Sequence, residues 1–236
     1  MSDEEMVQES ETAVKRACGL VVDFDYTVVD GIAILEKVCA KALGAAGVNM
    51  TPSLFVRSLF GAKASTAFTA LLGVGSTVTS ETVLAPLPAA MDKAVENATT
   101  NTTVLDICKH AMEQGVKVVF VTSRSLGIVE QKLESAGIPG AHLFKVERCD
   151  RIGEYSPDIW AKAARTIRLS PRHCTVIAAS ATSVRQAVVT GMRTVAFMNP
   201  LISFEDFSGA DLVAEGMDRD AILNGVLELI GSQNDE

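Results

Sequence analysis

Two aspartates stand one residue apart, Asp23 and Asp25, inside the apolar run from Gly19 to Gly31, with Asp30 just beyond. Unpaired carboxylates are costly inside a sheet, so this pair marks an open strand end, as solvated charges or as groups that hold a ligand. On a strand turning into a loop, two such carboxylates can diverge in role. One faces the ligand as a nucleophile, and the other moves protons. Thr27 and the bulky Tyr26 shape the turn that follows. Further along, Thr122 ends the apolar run Val116 to Val121, and Ser123 and Arg124 after it could hold an anion or cap the next helix.

The elements that must carry these residues alternate. Short apolar runs at Cys18–Phe24, Val116–Val121, His142–Val146, Cys174–Ala179, Arg193–Met198 and Ala210–Ala214 read as strands. Their unbroken apolar character suits a parallel sheet covered on both faces. Amphipathic stretches lie between them, and Gly115, Gly137 and Gly191 stand as helix stops. In "SPDIW", Ser156 reads as the cap, Pro157 as the first turn and Asp158 as the charge beside the dipole. Residues 31–99 break the alternation, reading as successive helices with no strand. The expected fold is α/β: a doubly wound parallel sheet with an inserted helical cap. The core would comprise 17–30 and 100–232, the cap 31–99, and the ends 1–16 and 233–236 polar tails. Two crossings, near Val29–Gly31 and Asn97–Thr103, would hinge the cap.

Several motifs in order resemble the haloacid dehalogenase superfamily. "DFDYT" is similar to its DxDx(T/V) signature, and "VVFVTSR" to its second motif. "EYSPDIWAKAA" and "VIAASATSVRQAVVTGMRTVAF" resemble its third and fourth segments, and the helical insertion resembles the cap of the β-phosphoglucomutase/phosphoglycolate phosphatase branch. The likeness runs from Gly19 to about Ile230. It implies that Asp23 attacks phosphorus, that Asp25 protonates the leaving group and later activates water, and that Thr122 bonds a phosphoryl oxygen. It also implies Mg²⁺ between Asp23, the main-chain carbonyl of Asp25 and a fourth-motif carboxylate. Relatives often carry substrate-specifying residues where this chain has Phe60 to Ser65, which makes Lys63 a candidate beside Thr27, Ser123 and Arg124; a solvated helix face is the other account of Lys63.

Two motifs depart from the pattern. The third-motif lysine is replaced by Glu154, and the fourth-motif acids by Ala178 and Ala179. No Asp or Glu occurs from Ile159 through Phe204. Exchanging Lys for Glu turns the local field against a dianion. One unit charge at ~4 Å is worth roughly 4 kcal/mol at an effective dielectric of about 20, and each ~1.4 kcal/mol is about tenfold in rate. Lys145, Arg148 and Arg151 are the cations that could stand in for the lysine.

The chain has 236 residues, 48% hydrophobic, with net charge −8. That acidity argues against nucleic-acid or anionic-membrane binding, and no apolar run is long enough to span a bilayer. The acidic start "MSDEEMVQESETAVKR" is unlike a secretory leader, so a cytoplasmic location is expected. Cysteines 18, 39, 108, 149 and 174 show no zinc-ligand spacing and read as small interior groups. His110, His142 and His173 are scattered, and "GVGST" at Gly73 follows no strand. Two functional readings stay open. One is a Mg²⁺-dependent phosphatase or phosphomutase of small phosphorylated metabolites, impaired by the lost lysine and acids. The other is an inactive protein of the same fold that binds a ligand or a protein partner.

Overall fold

The computed structural model describes residues 18–73, 76–147 and 149–232. Both polar tails, the middle of "GVGST" and Arg148 lie outside the described residues. Strand β1 (Gly19–Asp23) runs into a π-helical turn, Phe24–Val28. Five helices follow: α1 (Gly31–Gly44), α2 (Pro52–Ser58), α3 (Ala64–Leu72), α4 (Ser80–Leu84) and α5 (Leu87–Glu96). Then come α6 (Thr102–Glu113), β2 (Lys117–Thr122), α7 (Leu126–Ser135), β3 (His142–Lys145) and α8 (Ile159–Thr166). The chain ends through β4 (Cys174–Ala178), α9 (Ala181–Val189), β5 (Arg193–Ala196), β6 (Leu212–Val213) and α10 (Arg219–Gly231).

The six strands form one parallel sheet in the order β3-β2-β1-β4-β5-β6. Period-2 alternation divides their apolar side chains between two cores. Leu20, Val22, Val118, Phe120 and Ile177 pack with α6, α7 and α10 on one face. Val21, Val119, Val121, Val176 and Ala178 pack with α8 and α9 on the other. Each fully buried large side chain, such as Phe24, Phe120 or Trp160, contributes roughly 1.5–3 kcal/mol. Gly115, Gly137 and Gly191 end α6, α7 and α9 at φ of 81°, 82° and 80°, where a side chain would be strained.

Helices α1–α5 make a third apolar cluster, joined by Ile152, Ala179 and Ile202 from the sheet side. The two crossings into this insertion lie side by side, with Val29 and Thr100 in an antiparallel bridge. The Asn101 amide donates to the Val28 carbonyl at 2.7 Å.

Helices α4 and α5 are separated at Ala85–Pro86, because proline lacks the amide and crowds the preceding turn. One local expectation needs correction. Helix α8 begins at Ile159 with Asp158 as its N-cap, and no side chain caps it. The Ile159 amide donates to the carbonyl of Ser156 rather than to its hydroxyl, so Ser156–Asp158 form a separate turn before the helix.

Candidate active site

β1, β2 and β4 are neighbours in the sheet, and their carboxyl ends carry Asp23, Thr122 and Ala178. The π-helical turn after β1 folds back tightly. The Thr27 hydroxyl donates to the Asp23 carbonyl at 2.6 Å, and the Tyr26 amide to Asp23 Oδ1 at 3.2 Å. Gly31 is required where this turn meets α1, since a Cβ there would stand 1.9 Å from the Asp25 carbonyl oxygen. Asp30 caps α1 through the Ala33 amide and accepts from Asn199 Nδ2 at 2.7 Å.

Asp23 is fully buried. Its Oδ1 also accepts from the Tyr155 hydroxyl at 3.0 Å, while Oδ2 is buried without a partner. Burial first, and the charge of Asp25 second, push the Asp23 carboxyl well above the usual carboxylate range. The Tyr155 phenol is pushed upward by burial and by the same two aspartates, so it stays protonated and donates. Tyr155 rests between Tyr26, with ring centroids 5.7 Å apart, and Trp160, at 5.9 Å in an edge-on arrangement.

Asp25 is 3% exposed, and both of its carboxylate oxygens are engaged. Oδ1 accepts from the Thr122 hydroxyl at 2.5 Å. Oδ2 accepts from the Ser123 amide at 2.9 Å, the Ser123 hydroxyl at 2.6 Å and Arg124 Nε at 3.5 Å. The guanidinium of Arg124 also donates from Nη2 to Ser123 Oγ at 2.6 Å. Its Nη1 forms an ion pair with Asp92 of α5 at 3.5 Å without a hydrogen bond, and Ser125 donates to the same Asp92 carboxylate. One buried cation therefore links the sheet to the helical insertion.

Thus Asp25, Thr122, Ser123 and Arg124 are brought together, with Asp23 beside them on β1 and Thr27 turned into the loop. Lys63 lies apart, exposed and 3.8 Å from Asp150. It marks a second fastening of the insertion. Lys63 and Arg151 form an antiparallel bridge, the Gly61 amide donates to the Ile152 carbonyl, and Arg151 Nη1 donates to the Gly61 carbonyl at 2.6 Å. Glu154 turns to this seam, 3.9 Å from Arg151 and 3.4 Å from Thr182 Oγ1, with burial raising its pKa. Neither Arg151 nor Lys145, which is exposed at the sheet edge, is a partner of Asp23.

Three residues escaped the sequence reading. Tyr155 follows Glu154 directly and makes the contact with Asp23 across 132 positions. Asp92 sits on an amphipathic helix whose pattern signals only the buried stripe. Glu205 lies one residue past the acid-free stretch, and it accepts the Ala181 amide at 2.7 Å at the start of α9.

The fold family implies Mg²⁺, and the donor set does not fit it. Asp23 Oδ2 is free for a ligand, but the fourth-motif carboxylate that would complete the set is missing. The strand beside β1 ends in Ala178 and Ala179, and Ala179 is buried in the apolar cluster of the insertion. Among the described residues no group of three or more His, Cys, Asp or Glu is placed to hold a metal ion. Nor does any helix among them have the length and apolarity to cross a membrane.

No family model matches the sequence, and no curated protein matches it. Solved structures do match. A putative β-phosphoglucomutase from Bacteroides vulgatus aligns at 16% identity and TM-score 0.66, over 94% of this chain and 92% of that one. CbbY from Rhodobacter sphaeroides, in complex with xylulose-(1,5)bisphosphate, aligns at 16% identity and TM-score 0.64, over 85% of this chain and 94% of that one. A hydrolase from Deinococcus radiodurans with bound phosphate and sodium aligns at 18% identity and TM-score 0.64, over 91% and 97%. The chain therefore has the fold of the haloacid dehalogenase superfamily, in the form shared with β-phosphoglucomutases and CbbY.

Proposed function

We propose that this chain is a haloacid dehalogenase-fold protein that binds a small ligand between sheet and cap and does not hydrolyse phosphate esters. In this reading residues 31–99 are the cap and 17–30 with 100–232 the core. The observation that carries it is the Asp25 carboxylate, whose two oxygens are held by Thr122, Ser123 and Arg124. A proton carrier so tied is withdrawn from a leaving group. Asp23 adds to the argument: attack on phosphorus needs its ionised form, and burial favours the neutral one. The side chain that donates to Asp23 is a neutral phenol, and Glu154 stands where the resembled motif carries its lysine.

The ligand site is a cavity of about 190 Å³ whose lining includes Tyr26, Leu35, Leu87, Met91, Arg124 and Tyr155. It is smaller than the ~300–1,000 Å³ of drug-sized sites, which suits a metabolite of few heavy atoms. Manganese, a spin-active substitute for Mg²⁺, tests the reading through electron paramagnetic resonance. Added Mn²⁺ is expected to keep its free signal, and a saturable site removed by Asp23→Asn would contradict the proposal.

A second reading is a Mg²⁺-dependent phosphatase or phosphomutase acting through Asp23. The unpartnered Asp23 Oδ2 favours it, as do neighbours solved with phosphate and a sugar bisphosphate. It requires Asp25 to leave its three neighbours and Asp23 to lose its proton.

A further inference from the structure

We propose that the cavity between sheet and insertion takes a neutral, ring-sized apolar molecule and turns anions away. This names the ligand class for the non-hydrolytic reading and rests on it. Among the described residues, the insertion contributes Leu35, Ala64, Leu84, Leu87 and Met91 to the lining. None of these side chains carries a charge or a hydrogen-bond donor. A polyhydroxylated body would leave its hydroxyls unpaired against that wall, at a cost in free energy. The sheet side adds Ile152 and the rings of Tyr26 and Tyr155, whose centroids stand 5.7 Å apart. A flat ring packs well against such faces, and the Met91 thioether supplies a polarisable contact.

The two cations that line the cavity are already matched. Arg124 stands 3.5 Å from Asp25 and 3.5 Å from Asp92. Arg151 faces Glu154 at 3.9 Å and donates to the Gly61 carbonyl. An entering anion therefore finds no uncompensated cation, and burying its charge there is costly. Size narrows the class further. The cavity volume of about 190 Å³ is close to the ~150 Å³ that holds benzene in an apolar cavity, so the body of the ligand is a single ring.

Benzyl alcohol and benzoate test this, because they share a ring and differ in charge. With wild type, benzyl alcohol is expected to shift the methyl NMR signals of Leu35, Leu87 and Met91 saturably. It is also expected to slow alkylation of Cys149, which lines the cavity while Cys18, Cys39, Cys108 and Cys174 are buried. Benzoate is expected to bind more weakly by about tenfold or more, since its carboxylate gains no free partner. Leu84→Asp, at a half-buried position, is expected to weaken benzyl alcohol binding by about tenfold or more, because it places an acid on the apolar wall. Benzoate that binds as tightly as benzyl alcohol overturns the ligand class. So does benzyl alcohol that neither shifts those methyls nor protects Cys149, or that binds Leu84→Asp as it binds wild type. Turnover of phenyl phosphate by the same wild-type sample overturns the non-hydrolytic reading instead.

Discussion

At the residue scale, the account turns on two aspartates with opposite fates. Asp23 is buried with a raised pKa, so folding takes up a proton between the ordinary carboxyl value of about 4 and the raised one. The native state then binds more protons than the unfolded state, and stability falls as pH rises through that window. The contribution is complete below about pH 4 and is lost as pH passes the raised value. Asp23→Asn abolishes the titration, so D23N gains on wild type in urea unfolding as pH climbs from about 4 towards neutrality. A constant difference would show that Asp23 is ionised when folded. Tyr155→Phe removes one of the two donors to Asp23 Oδ1, leaving the Tyr26 amide. The cost is about 0.5–1.5 kcal/mol, a fall in Tm of roughly 2–4 °C for each kcal/mol. The spacing of Asp23 and Asp25 made the site visible in the sequence. Tyr155 was hidden because nothing local to "EYSPD" reveals a partner 132 positions away.

At the scale of elements, the strands were legible because apolar runs buried on both faces leave a continuous pattern. The helices of the insertion were legible from their period, apart from the break that Pro86 imposes. The fastening of insertion to sheet was not legible, since main-chain bonds between 61–64 and 150–152 need no particular side chains. Glycine is what that seam requires. Gly153 has φ of 79°, and a Cβ there would meet the Phe60 ring at 2.4 Å. Gly153→Ala should therefore cost about 1–3 kcal/mol from strain and crowding. Hydrogen exchange at the Gly61 and Ala64 amides should rise more than at the amides of β1. Uniform exchange would mean that the seam opens only when the whole protein unfolds.

At the scale of the molecule, the chain has the haloacid dehalogenase fold, a parallel sheet with helices α1–α5 placed after β1. Glu154, Ala178 and Ala179 are built into packing and seams: Glu154 on Arg151 and Thr182, Ala179 in the apolar cluster of the insertion. The sequence has Glu154, Ala178 and Ala179 where the motifs it resembles carry a lysine and acids. It could not show that a phenol would take up Asp23, or that Asp25 would be captured, because both depend on side chains converging from separate strands and loops.

The most direct measurement is Mg²⁺-dependent hydrolysis of a generic aryl phosphate by purified wild type beside Asp23→Asn. The account predicts that both proteins remain at the rate of buffer alone. Turnover by wild type that disappears in D23N would contradict it, and would show that Asp23 still attacks phosphorus.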